Sequence, residues 1–107
     1  MSEDTIDLLV LGGGIAGLSA AASAAQRGAS VVLAEKAPAV GGSGQYAGFL
    51  WTAPTIQVMR EVNPEGDPAL GARVVDGYEA AIDWVRSLGV HTKEPVTVLG
   101  YGRGRRR

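Results

Sequence analysis

Ile6-Asp7-Leu8-Leu9-Val10-Leu11-Gly12-Gly13-Gly14-Ile15-Ala16-Gly17 decides the fold. The run Ile6–Leu11 is short, apolar and bounded by the acidic start MSEDTID on one side and glycines on the other, which predicts a strand buried on both faces. Gly12, Gly14 and Gly17 then form G-x-G-x-x-G at the passage from strand to helix. Each glycine answers a different demand. Gly12 permits the tight turn out of the strand, Gly14 removes a side chain where the backbone must approach a pyrophosphate, and Gly17 lets the helix pack on the strand. Ile15 and Ala16 lie in the helix's first turn, where unpaired amide hydrogens and a partial positive charge face the phosphates.

The context strengthens a pattern that is weak alone. Ile15 to Arg27 predicts an alanine-dominated helix whose small side chains allow close packing. Gly28 is its expected left-handed cap. Ser30–Ala34 is a second β-branched, apolar strand, so the order is strand, helix, strand, which predicts a right-handed parallel unit. Glu35 ends that strand 23 residues after Gly12, near the spacing of an acid that accepts bonds from two ribose hydroxyls and repels a 2′-phosphate. Glu35 also reads as a surface glutamate paired with Lys36. Both residues are counted as candidate nucleotide contacts.

Residues 37–50 hold Pro38, Gly41, Gly42, Gly44 and Gly48 and read as a loop or a set of turns. Thr55–Val62 is a short helix stopped by Asn63-Pro64. A longer helix follows, with Asp67 as N-cap, Pro68 in the first turn and Gly89 at the exit. Leu70, Val74, Tyr78, Ala81, Val85 and Leu88 mark its expected buried stripe, and Gly71 and Gly77 weaken it. A last strand is expected over Val96–Leu99.

Composition bounds the reading. The chain has 107 residues, room for one modest domain but not for a cofactor domain plus a separate substrate domain. No cysteine is present, which excludes disulfides, thiolate catalysis and zinc-thiolate or iron–sulfur ligation. The acidic start and the absence of a long apolar run predict no signal peptide and no membrane span, so the expected location is cytoplasmic. Net charge is −1, but four of the last five residues are arginine. Without interleaved aromatics that tail reads as a solvated end, and nucleic acid is not an expected partner.

Residues 5–54 resemble the FAD-binding N-terminus of the fumarate reductase/succinate dehydrogenase flavoprotein family. The discriminating feature is the second glycine cluster, Gly41-Gly42-Ser43, soon after Glu35-Lys36. By that resemblance Gly42, Ser43, Ala47 and Gly48 are candidate FAD contacts, mostly through the backbone. Gly48–Pro54 is similar to the G-x-x-W-x-P-like segment of 3-ketosteroid dehydrogenases within the family, and Ala80–Val90 resembles the family helix that follows. Trp84 reads there as a packing residue. Where some members attach FAD covalently to a histidine, this chain has Ser43, Gly44 and Gln45, and its single histidine, His91, lies far downstream. The resemblance therefore implies non-covalent FAD.

The expectation is an α/β chain. A Rossmann-like βαβ unit (5–36) begins an incomplete doubly wound sheet, followed by a glycine-rich flavin loop (37–54), a helical segment (55–89) and a tail (90–107). The resemblance implies hydride transfer between flavin and a carbon–carbon bond next to a carbonyl or carboxylate, on a small-molecule substrate held only by a longer form. No catalytic residue is assigned. The 107 residues are expected to be a piece of the enzyme that binds the ADP and pyrophosphate part of FAD without turnover. The alternative is a stand-alone nucleotide-binding or regulatory module.

Overall fold

The computed structural model describes residues 4–96. They divide between Leu50 and Trp51 into two compact units. The first contains β1 (Leu8–Leu11), α1 (Ile15–Gln26), β2 (Val31–Ala34) and a short 3-10 helix over Gly42–Tyr46. The strands pair in parallel, with Leu8 opposite Val31 and Leu11 opposite Ala34. The chain is thus α/β, with a βαβ unit leading into helices.

Both strands start later than the apolar run suggests, and one contact accounts for this. The Asp7 carboxylate accepts bonds from the Ser30 amide at 2.8 Å and hydroxyl at 3.2 Å, while the Asp7 amide donates to Ser30 Oγ at 2.9 Å. The pair ties the two strand entrances together, so regular pairing begins one residue beyond each. At the far end of α1 the Ala29 amide bonds the Ala24 carbonyl and the Gly28 amide bonds the Ala25 carbonyl. This is a Schellman closure, with Gly28 left-handed at φ 89° as expected. The helix therefore ends at Gln26 with Arg27 as its cap.

The expectation that β1 is buried on both faces fails. Alternate residues point to opposite faces, and α1 covers one of them, where Val10, Val31 and Leu33 are half-buried. On the other face Leu9 is 53% and Leu11 77% exposed. A continuous apolar run signals a strand meant for cover on two sides, and the described residues of this unit cover one.

The second unit packs α2 (Ile56–Val62) against α3 (Pro68–Ser87). Thr55 caps α2 through its hydroxyl, which accepts from the Val58 amide. Asp67 caps α3, one carboxylate oxygen accepting from the amides of Ala69 and Leu70. Pro68 opens the helix and Gly89, at φ 94°, follows its end. Ala53, Met59 and Ile82 are its buried apolar residues among those described.

The stripe expected on α3 is largely the wrong face. Leu70, Val74 and Leu88 are exposed, Ala81 too, and only Tyr78 and Val85 turn partly inward. The inward face runs through Gly71, Val75, Tyr78, Ile82 and Val85. Gly71 explains the choice: a Cβ there would stand 3.0 Å from Met59 Cγ. The glycine that weakens the helix as a propensity argument forms the notch that seats the core methionine.

No helix among the described residues is long and apolar enough to cross a membrane. Residues 97–99 of the strand expected over Val96–Leu99, and the arginine tail, lie outside the described residues.

Candidate functional site

The first unit gathers its functional candidates at the C-terminal ends of β1 and β2. The Gly12 amide bonds the Ala34 carbonyl at 2.8 Å, which carries the strand pairing one step past β1 and sets the following turn beside Glu35. Gly12 has φ 105°, a conformation that L side chains rarely adopt, so the turn requires glycine there. Gly17 is required for a different reason. A Cβ on it would run into the Gly12 carbonyl oxygen and stand 3.3 Å from Val10 Cγ1. The helix start is pressed directly onto the turn that precedes it.

Gly14 differs from both. Its backbone, at φ −79° and ψ −169°, suits any residue, and a Cβ built on it meets nothing within 4 Å. It is the N-cap of α1 and offers no side-chain acceptor to the first-turn amides. A helix leaves its first four amides without partners of its own. Here Ile15, Ala16 and Gly17 follow a bare glycine whose Cβ position is open.

Glu35 holds this turn from the side. Its Oε1 accepts from the Gly13 amide at 2.8 Å and its Oε2 from the Ala37 amide at 2.7 Å. The Ala37 amide, then the Gly13 amide, hold the carboxyl below the ordinary glutamate range. Partial burial opposes them, and the Lys36 ammonium adds a smaller pull. Both oxygens thus bond backbone amides, an arrangement that neither reading of Glu35 from the sequence contained. Gly13, an unassigned position of the motif, is one of its two partners, and a Cβ there would stand 2.9 Å from Val40 Cγ1.

The second glycine cluster lies on the first. The Gly41 amide donates to the Gly13 carbonyl at 2.8 Å. A Cβ on Gly42 would stand 3.2 Å from Gly14 Cα, and one on Gly44 2.6 Å from Ile15 Cγ1. Gly42 and Ser43 therefore begin the 3-10 helix beside the start of α1, and Ala47 ends it as its cap. Gly48 follows in exposed coil with no neighbour within 4 Å of a Cβ. Gly12, Gly14, Ile15, Gly17, Glu35 and Gly42 thus come together, while Gly48 is not drawn into the cluster. The signal that a closer reading could have used is the unbroken triplet Gly12-Gly13-Gly14, whose middle member is buried.

An uncapped helix start, a carboxylate fixed beside it and a second glycine-rich segment laid against it are features that nucleotide-binding βαβ units use. Residues 7–100 match the family model described as FAD dependent oxidoreductase. The chain belongs to that family. Among its relatives is the fumarate reductase (cytochrome) of Shewanella frigidimarina, 34% identical over 104 residues that cover 81% of this chain and 18% of the relative. The vinyl phenol reductase of Lactiplantibacillus plantarum is 31% identical over 116 residues, covering 94% of this chain and 23% of the relative. The NADH:acrylate oxidoreductase of Vibrio harveyi is 58% identical over 41 residues, 38% of this chain and 4% of the relative. The resemblance to fumarate reductase flavoproteins drawn from the two glycine clusters is therefore borne out. The chain spans about a fifth of the length of the fumarate and vinyl phenol reductases it matches.

Proposed function

We propose that this chain supplies the ADP- and pyrophosphate-binding start of a flavoprotein that reduces or forms a carbon–carbon double bond next to a carboxylate or carbonyl. The observation that carries the reading is the start of α1: a bare Gly14 whose Cβ position is open, next to a carboxylate anchored at the end of β2. The residues fit the group. Gly14, Ile15, Ala16 and Gly17 offer backbone amides to the pyrophosphate, while Gly42, Ser43, Ala47 and Gly48 line the side toward the flavin. Glu35 retains lone pairs for the two ribose hydroxyls after accepting one bond at each oxygen. Lys36, next to it, adds a positive charge beside that carboxylate. With Ser43, Gly44 and Gln45 where a histidine would make a covalent link, the cofactor is held non-covalently.

When bound, FAD supplies the two-electron chemistry, and the protein supplies binding, orientation and electrostatics. Fumarate and acrylate, named for two of the relatives, each carry a double bond next to a carboxylate. They support the substrate class. In this reading β1 and β2 begin a Rossmann-like, doubly wound sheet. The exposed Leu9 and Leu11 support that, as apolar positions suited to cover on a second face. Binding without turnover follows for the 107 residues alone, with substrate held by a longer form.

Titration of the chain with FAD, followed by flavin fluorescence, tests this against Gly14→Val. Saturable binding that weakens at least roughly tenfold in the variant is expected, because a branched side chain stands where the backbone must approach the pyrophosphate, and its Cβ meets no neighbour. Equal binding by both chains, or none by a wild-type chain with a helical circular dichroism spectrum, would overturn the assignment of this site.

A further inference from the structure

We propose that Glu35 is a positioning residue whose carboxylate straps the turn after β1 to the loop after β2, setting the phosphate-binding amides before any ligand arrives. The inference rests on the reading of this turn as a phosphate site and adds a role distinct from ribose recognition. Gly13 and Ala37 lie 22 residues before and two residues after Glu35, and the carboxylate is a direct bridge between their two amides. Gly13 sits inside the phosphate turn, and its carbonyl accepts from the Gly41 amide. The strap therefore reaches the second glycine cluster through a single residue. A carboxylate suits this task because both its oxygens accept. An amide of the same shape has one accepting oxygen and one NH2, so glutamine would present a donor to one of the two backbone donors. Once bridged, the carboxylate still has lone pairs for a ribose, so ribose recognition and the preset turn share one group. The depressed carboxyl pKa agrees with two amides favouring its charged form.

The ligand-free chain provides the first arm of the test. Amide proton shifts of Gly13 and Ala37, followed by nuclear magnetic resonance as pH falls, should move together with a midpoint below that of an ordinary glutamate. The second arm compares the wild type with Glu35→Gln for ADP and for inorganic pyrophosphate, which has no ribose. A strap predicts that the variant binds both ligands more weakly, pyrophosphate by roughly tenfold, the scale of one lost charge-assisted bond. A carboxylate that serves the ribose alone predicts weaker ADP binding, unchanged pyrophosphate binding and no common titration of the two amides, and that result would sink the proposal. Should Glu35→Gln fail to fold, the wild-type titration decides by itself. If the wild type binds neither ligand while the two amides titrate together, the phosphate-site assignment fails and the strap is upheld.

Discussion

The helix starts of the two units are built on opposite plans. In the second unit Thr55 and Asp67 place side-chain oxygens on the first-turn amides of α2 and α3. In the first unit α1 begins at Gly14, which provides no such acceptor, although its backbone suits any residue and a Cβ there meets no neighbour. A side-chain cap exceeds a glycine cap by only a few tenths of a kcal/mol, so leaving α1 bare forgoes a small stabilisation. The difference separates a helix start that only has to be stable from one that keeps its amides for something else.

The largest expected effect comes from Gly17→Ala. Helix propensity alone would favour alanine by about 1 kcal/mol, but the new Cβ meets the Gly12 carbonyl oxygen, a backbone atom with little freedom to yield. Overpacking of about 3 kcal/mol should win, lowering the thermal midpoint by on the order of 15 °C. A midpoint equal to or above wild type would show that the close approach of α1 to its turn is not required. Asp67→Ala should cost about 1 kcal/mol in a urea titration, because two amides lose their acceptor. FAD binding should not change, since neither amide belongs to the glycine turn at the start of α1. The smallest change in stability is expected from Gly14→Asp, which rebuilds the second unit's plan in the first. Aspartate exceeds glycine as a cap by only a few tenths of a kcal/mol, yet its charge occupies the anion's place. Calorimetry should show a slightly raised midpoint together with lost FAD binding. Retained binding would remove the contrast between the two plans.

Much of the site was legible in the sequence because its demands are local. Strand, glycines, helix and strand follow one another within residues 6–35, and the punctuation by Gly28, Asp67, Pro68 and Gly89 depends on backbone conformation at single positions. Period and composition carry such information directly. They fared worse on α3, where Leu70, Val74 and Leu88 form one apolar row, and Val75, Ile82 and Val85 another at the same helical spacing. Only packing separates two such rows, and Met59 seated in the Gly71 notch selects the second.

The sequence by itself therefore determined the βαβ order, the glycine turn, the capped helices and the family to which the chain belongs. Tertiary structure alone decided three things: the face of α3 that turns inward, the Asp7–Ser30 tie at the strand entrances, and the attachment of Glu35 and Gly41 to Gly13. Each of these depends on contacts between residues far apart in the chain. Such contacts form only after the backbone has closed its turns, so no local spacing records them.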